Sequence, residues 1–328
     1  MGWERERSGI IEKILNQDFL FEELALELFY YQSGHNKIYK EYLELLRVDA
    51  SKINNVVDIP FLPISFFKSH LVMTGEYIPK KVFTSSGTTY SIRSKHLIRD
   101  PELYYYISSL CFQSAFGQSI DQGVHVGLLP SYAANPDSSL LSMLDYFIKK
   151  GGGGYFHHEE GALVDFVARL SEKKIFLWGV SYALLNWKHH FPKTDRLTLI
   201  ETGGMKGMQA EITRAELHSE IIKKFPVRSV ASEYGMTELL SQAYAVRDGV
   251  FTFSPSLRVY ARSISDPLSP EKENTTAALN IIDLANLDSC CFLATEDIGK
   301  VYSDQTFEVL GRLDNSDLRG CNLLLTGN

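Results

Sequence analysis

A run of hydroxyl side chains around one glycine, Thr84-Ser85-Ser86-Gly87-Thr88-Thr89, follows the strand-like residues 81–83. The run is too polar to build a core. It offers backbone N–H groups, hydroxyl donors and a glycine that lets a phosphate approach closely. The basic residues Arg93, Lys95 and His96 come shortly after it. The same composition is typical of an ordinary turn, so the run alone predicts either a turn or a phosphate-binding loop.

A second segment whose side chains could take part in chemistry is Tyr234-Gly235-Met236-Thr237-Glu238, which follows the strand-like residues 227–230. We expect a helix to begin near Glu238. A tyrosine can stack on a planar ring, whereas a threonine hydroxyl and a glutamate at a helix start can bind a phosphate and a divalent cation. A strand–turn–helix junction with a capping threonine would look the same, so both interpretations stay open.

Two more segments combine strand ends with polar or glycine residues. Gly203 and Gly204 end a strand, where a ligand often lies across the carboxyl edge of a sheet. Asp297 follows another strand-like run and could accept both hydroxyls of a ribose. Arg312 is suited to sugar hydroxyls and phosphate. Taken singly, each is also typical of a glycine turn, a turn carboxylate or a surface arginine.

The elements that must position these segments alternate between strands and helices. Residues 10–47 show helical spacing of apolar side chains, and strand-like and helical runs then alternate as far as about residue 225. This pattern predicts an α/β fold with mainly parallel sheets flanked by helices. Later strand-like runs lack long helices between them, which predicts a smaller, mostly antiparallel unit. We expect an α/β body over 1–250, with the candidate phosphate loop at 83–95, and a β-rich subdomain over 251–328.

Composition limits the classes of partner. Hydrophobic residues make up 45% of the 328 residues, enough for a sizeable core. The net charge of −7 disfavours nucleic acid and anionic membranes as partners. Residues 1–7 are rich in charge and have no apolar run behind them, so we expect no secretory signal, and no window approaches the length of a membrane span. The four cysteines form no Cys-x-x-Cys pair, so we expect a cytoplasmic protein with reduced thiols.

In their order along the chain, the four segments resemble the adenylate-forming enzyme superfamily, which includes acyl-CoA synthetases, luciferases and adenylation domains. The closest resemblance is to the acyl-protein synthetase branch, the LuxE type. It covers roughly residues 60–320. The segments that carry this closer resemblance are residues 128–132, 202–207, 284–287 and 292–297.

The resemblance implies a site for ATP and Mg²⁺. The residues that would hold the β- and γ-phosphates are Ser85, Ser86, Gly87, Thr88, Thr89 and, as the basic member, Lys95. The residues that would bind adenine and ribose are Gly203, Gly204, Tyr234, Gly235, Asp297 and Arg312. Thr237 would contact the α-phosphate and Glu238 would hold Mg²⁺. A carboxylic acid would enter near Pro130, Ser131 and Tyr132.

The implied activity is ATP-dependent conversion of a carboxylic acid, fatty or aryl, to an acyl-adenylate with release of pyrophosphate. Transfer to a thiol of a carrier protein, a partner enzyme or coenzyme A could follow. In most of the superfamily a C-terminal domain with a catalytic lysine follows the Gly-Arg-x-Asp motif, here residues 311–314. Only residues 321–328 follow Gly320, so we expect that domain to be missing or supplied by a partner chain.

Two other functions fit parts of the sequence. A non-catalytic protein could keep a nucleotide or acyl pocket and act with a partner. A hydrolase is suggested by residues 179–183, which nearly match a nucleophile elbow centred on Ser181. Beyond Asp195, however, His218 is the only histidine. We therefore interpret Ser181 as a strand–helix junction.

Overall fold

A computed structural model of the protein describes residues 2–85, 92–129, 135–157, 159–170, 172–203 and 213–313. The helices in this part of the chain are α1 (Gly2–Asn16), α2 (Phe21–His35), α3 (Lys37–Leu45), α4 (Phe66–Ser69), α5 (Pro101–Phe116), α6 (Ser139–Gly151), α7 (Glu160–Arg169), α8 (Ser181–Leu185) and α9 (Arg214–Ile222). The helical region predicted over residues 10–47 is thus three consecutive helices.

The strands are β1 (Leu62–Pro63), β2 (Lys81–Thr84), β3 (Lys95–Ile98), β4 (Gly123–Leu128), β5 (Gly153–Tyr155), β6 (Lys174–Val180), β7 (Leu197–Thr202), β8 (Val230–Tyr234), β9 (Ala243–Ala245), β10 (Val250–Thr252), β11 (Leu257–Arg262), β12 (Ala277–Asp283), β13 (Phe292–Val301) and β14 (Thr306–Arg312). One sheet runs in the order β11-β12-β13-β14-β10-β9-β8-β7-β6-β4-β5, and β1 pairs with β13. Strands β2 and β3 form a separate antiparallel hairpin.

Five neighbouring strands of the large sheet, β5-β4-β6-β7-β8, are parallel. Strands β4, β6, β7 and β8 are mainly buried on both faces, as is usual for parallel sheets, whereas the edge strand β5 is partly exposed. On β6, Phe176 and Trp178 join the core beneath α5 and α6, whereas Ile175 and Leu177 join the core on the opposite face. This alternation follows from the two-residue period of a strand, and it confirms the predicted parallel sheet flanked by helices.

The rest of the sheet is antiparallel and extends from β8 through β9, β10, β14, β13 and β12 to β11. Strands β12 and β13 lie almost wholly inside the protein. The β-rich C-terminal part expected from the sequence is therefore confirmed. Since β8 borders both parts of the sheet, residues at its end lie next to the antiparallel strands.

Local sequence signals explain several boundaries. Helix α5 begins with Pro101 in its first turn, as predicted, while the Asp100 side chain accepts the N–H of Glu102. It ends at Gly117, whose φ of 67° suits glycine. The helix expected near Glu238 is wrong, because residues 235–242 form turns and irregular chain. Among the described helices, none is long and apolar enough to cross a membrane.

Candidate functional site

The carboxyl ends of the parallel strands lie along one edge of the sheet. Their order, β5-β4-β6-β7-β8, is the 2-1-3-4-5 order of doubly wound folds, in which the chain changes direction between β4 and β6. Ligands bind outside such edges. Strands β7 and β8 end at this edge with Thr202 and Tyr234, so the predicted site residues Gly203, Tyr234 and Gly235 lie there.

Three predicted site residues, Tyr234, Asp297 and Arg312, are brought into direct contact. The Tyr234 hydroxyl donates to Asp297 Oδ2 at 2.7 Å, and Arg312 Nε donates to Asp297 Oδ1 at 3.0 Å. Burial, followed by the nearby Asp297 carboxylate, raises the pKa of Tyr234 well above its usual value, so the phenol keeps its proton. The carboxylate of Asp297 is therefore fixed from two sides.

Strand register explains how Asp297 meets Arg312. The two residues lie directly opposite each other in the antiparallel pair of β13 and β14. A shift of register follows between Ile298 and Gly299. A side chain at Gly299 would collide with the main chain of Glu308, so this bulge needs glycine. The pairing places one carboxylate and one guanidinium on the same face.

The Tyr234 ring sits against the antiparallel part of the sheet. Phe251 and Phe307 meet it edge to face, with ring centroids 5.8 and 5.5 Å away. Only 8% of Tyr234 is exposed. The ring and its hydroxyl are thus held before any ligand arrives.

Glu233, beside Tyr234 in β8, carries a perturbed carboxyl group. Burial and the neighbouring Glu201 raise its pKa to about 8. A side chain at Gly235 would collide with the Glu233 carboxylate, so glycine at this position lets the carboxylate lie close to the chain. Gly235 is itself exposed at the end of the strand. The sequence analysis assigned no role to Glu233.

The segment that carries Thr237 and Glu238 is held through its main chain. His96 Nδ1 lies 2.9 Å from the carbonyl oxygen of Thr237, and Asn286 Nδ2 donates to the carbonyl oxygen of Glu238 at 2.8 Å. Further along the segment, Asp283 Oδ2 accepts hydrogen bonds from the N–H groups of Leu240 and Ser241. Thr237 is half-buried and Glu238 is buried.

The hairpin of β2 and β3 contacts this segment through His96, the neighbour of Lys95. Lys95 is exposed and pairs with Thr84, whereas the next residue, His96, is 1% exposed and bonded to Thr237 as above. At the base of the loop, the Ser94 N–H donates to the Ser85 hydroxyl at 2.9 Å. The Ser85 hydroxyl therefore uses one of its acceptor positions in this hydrogen bond.

Gly203 follows β7 at the same edge of the sheet and has a φ of 84°, a conformation that favours glycine. The remaining predicted site residues lie outside the described part of the chain; they are Ser86, Gly87, Thr88, Thr89, Pro130, Ser131, Tyr132 and Gly204. Their assignments stay predictions.

Two other predicted features can be located. Ser181 begins α8 directly after β6, so the strand–helix junction is confirmed, and its hydroxyl donates to Glu201 at 2.6 Å. His218 contacts the Ser232 hydroxyl instead of Ser181. In the described ranges, no group of three or more His, Cys, Asp or Glu residues is arranged to hold a metal.

Sequence reasoning assigned no role to His96, Asp283 or Asn286. The pair Lys95-His96 carried a signal, because neighbours on a strand face opposite sides and one of the two must point inwards. Nothing in the sequence indicates that Asp283 binds main-chain groups of Ser241, 42 residues earlier.

No protein-family model matches the chain, and its sequence matches no curated protein. Solved structures do match it. A 2-hydroxyisobutyryl-CoA ligase, in the postadenylation state with 2-HIB-AMP, is similar with a TM-score of 0.65 and 12% identity, over 89% of this chain and 67% of that one. ATP-bound MatB from Rhodopseudomonas palustris gives a TM-score of 0.52 and 14% identity, over 70% of this chain and 47% of that one.

The O-succinylbenzoate coenzyme A synthetase MenE from Bacillus subtilis, solved with ATP and magnesium, gives a TM-score of 0.51 and 16% identity, over 73% of this chain and 53% of that one. The chain spans about half the length of MatB and MenE. At these identities the likeness establishes the fold alone. The described chain therefore has the α/β fold of these solved structures, with a β-rich C-terminal part.

Proposed function

We propose that this protein activates a carboxylic acid with ATP, forming an acyl-adenylate and releasing pyrophosphate. The observation that carries the proposal is the contact of Tyr234, Asp297 and Arg312 at the carboxyl edge of the parallel strands. This arrangement occurs in a fold shared with ligases solved with ATP or an adenylate.

The nucleotide would bind against this group. A carboxylate has about four lone-pair positions, and the described contacts of Asp297 with Tyr234 and Arg312 use two of them. Asp297 can therefore accept ribose hydroxyls without releasing its neighbours. Arg312, whose side chain is 45% exposed, can also reach a sugar or phosphate oxygen. The adenine would lie by Gly203 and Tyr234.

In the proposed reaction, a carboxylate oxygen attacks the α-phosphorus while the bond to pyrophosphate breaks. Both reactants are anionic, so the protein must reduce their repulsion and hold them in line. Lys95 and the loop with Thr88 would bind the terminal phosphates, and Thr237 would donate to the α-phosphate. These contacts stabilise negative charge that grows on the pyrophosphate.

The donor set also fits Mg²⁺. This ion is commonly held by one or two carboxylates together with substrate phosphates and water. Glu238 would supply the carboxylate, and the described residues contain no larger acidic cluster that would suggest an all-protein cage. Bound there, Mg²⁺ would neutralise phosphate charge.

The acid would enter near residues 130–132, and the acyl group would pass to a thiol, as in the acyl-protein synthetase branch. Three cysteines of the chain are unsuited to accept it, because burial raises the thiol pKa of Cys111 to about 11 and of Cys290 to about 12, and raises that of Cys291 as well. A thiolate is the reactive form. The fourth, Cys321, lies outside the described residues. We propose a carrier protein, a partner enzyme or coenzyme A as the acceptor.

Acid-dependent exchange of labelled pyrophosphate into ATP tests the proposal. The wild-type protein should catalyse exchange with at least one member of a panel of fatty, aryl and other acids. Glu238→Ala should lower the rate by at least about 100-fold, whereas Glu271→Ala, at an exposed glutamate, should not. Absence of exchange across the panel would contradict the proposal. ATP binding without exchange would instead support a non-catalytic nucleotide-binding protein.

A further inference from the structure

The segment from Thr237 to Ser241 has an unusual set of main-chain partners. It lies in turns and irregular chain, so it lacks the hydrogen-bond ladder of a helix or strand. Buried main-chain groups must still find partners. Here side chains from other elements supply them, to two successive carbonyl oxygens and then to two successive N–H groups.

His96 is the partner that comes from the hairpin. A carbonyl oxygen only accepts hydrogen bonds, so His96 Nδ1 must carry the proton that points at Thr237. The ring is further confined by Phe67, which meets it edge to face at 5.6 Å. Because the confined ring keeps its proton on Nδ1, this hydrogen bond holds the Thr237 carbonyl at one position relative to β3.

Asn286 holds the next peptide group of the segment. It is completely buried, and its main-chain carbonyl oxygen accepts a hydrogen bond from Gln32 Nε2 at 3.0 Å. Its amide group donates to the carbonyl of Glu238 at 2.8 Å. Two neighbouring peptide groups are thus held by buried side chains from other elements.

We infer that His96 is a positioning residue, which with Asn286 sets the direction of the Thr237 hydroxyl and the Glu238 carboxylate relative to Lys95. The inference rests on the proposed function, because those three side chains are its proposed phosphate and metal contacts. Lys95 and His96 are adjacent in β3. A shift of the hairpin therefore moves Lys95 and the Thr237 carbonyl together. The proposed phosphate contacts and the proposed metal contact then keep their relative positions.

His125 offers a matched control. Like His96 it is buried, and its ring contacts a main-chain carbonyl, that of Ile120, at 2.8 Å. It lies within β4 and packs against Trp178 and Phe176, away from the segment that carries Glu238. Removing either imidazole deletes a similar contact, but only His96 holds the proposed site.

Kinetics of pyrophosphate exchange should separate the two histidines. We expect His96→Ala to lower kcat by about 10-fold to 100-fold, the usual loss when a residue that orients a ligating group is removed, and His125→Ala to stay within about threefold of the wild type for the folded fraction. His96→Asn should recover most of the rate, because the asparagine amide can donate from the position of Nδ1. Equal losses in His96→Ala and His125→Ala, or no rescue by asparagine, would overturn the inference.

Hydrogen exchange of the amides in residues 237–241 gives a second measurement that needs no activity. His96→Ala and Asn286→Ala should accelerate it, and His125→Ala should not. A wild-type protein without pyrophosphate exchange would reject the proposed function. The hydrogen-exchange result then decides alone: faster exchange in His96→Ala supports the positioning of this segment, and unchanged exchange refutes it.

Discussion

Two buried aspartates on neighbouring strands serve the candidate site in different ways. Asp283, at the end of β12, accepts hydrogen bonds from the main chain of Leu240, Ser241 and Ala285. Asp297, within β13, accepts hydrogen bonds from the side chains of Tyr234 and Arg312. The first carboxylate shapes the chain, and the second joins side chains that are proposed to meet a nucleotide.

Because their partners differ, we expect Asp283 to contribute mainly to the stability of the fold and Asp297 mainly to nucleotide binding. Removing the acceptor for several buried N–H groups leaves them unpaired, and this cost falls on the folded state. Removing Asp297 leaves the buried Tyr234 hydroxyl unpaired, but its other donor, Arg312, is partly exposed and can bind water instead. We therefore expect changes at Asp283 to affect the fold most, and changes at Asp297 to affect ATP.

The largest expected effect is that of Asp283→Ala. It should lower the free energy of unfolding by about 3 kcal/mol, because buried main-chain donors lose their partner. Asp283→Asn keeps one acceptor oxygen and should cost about half as much. Chemical denaturation measures both. If Asp283→Ala lowered the free energy of unfolding by less than about 1 kcal/mol, the proposed distinction between Asp283 and Asp297 would be wrong.

Asp297→Ala should mainly weaken ATP binding. Loss of an acceptor for ribose hydroxyls and of the anchor for Tyr234 corresponds to about 2 kcal/mol, or about 30-fold in Kd. Calorimetric titration with ATP measures it, with Asp304→Ala at an exposed turn as the control. Unchanged ATP affinity together with a large loss of stability would place Asp297 in the same class as Asp283.

The pH dependence of stability should reveal Glu233, which lies beside Tyr234. Its pKa is raised to about 8 from a normal value of 4.5, so between these values the folded protein holds a proton that the unfolded chain has lost. Rising pH therefore destabilises the fold in this range. As the pH rises from 5.5 to 7.5, the free energy of unfolding of Glu233→Gln should increase by on the order of 1 kcal/mol relative to that of the wild type. A difference between the two proteins that does not change with pH would contradict this assignment.

The smallest expected effect is that of Arg312→Ala on folding. The arginine side chain is 45% exposed, so solvent screens its pairing with Asp297, and we expect a loss of about 0.5 kcal/mol in stability. ATP affinity should fall about threefold. A stability loss as large as that of Asp283→Ala would show that exposure does not separate the two aspartates.

Parts of the fold and of the site were predictable because they depend on local pattern. The β–α alternation predicted the parallel sheet, and Pro101 marked the start of α5. Tyr234, Asp297 and Arg312 were chosen for their chemistry, and they do meet. The helix expected near Glu238 was wrong, since Asp283 and Asn286 hold that segment in another conformation. Long-range side-chain contacts outweighed the local helix signal there.

The sequence by itself determined which side chains could bind phosphate, sugar and metal, and which runs would alternate as strands and helices, because residue chemistry and periodicity are local properties. Only the tertiary structure decided that Asp297 would face Arg312, through the register of β13 and β14. It also decided that His96 would turn inwards to Thr237 while Lys95 stayed exposed. Strand register and the choice of buried face depend on contacts between residues far apart in the chain.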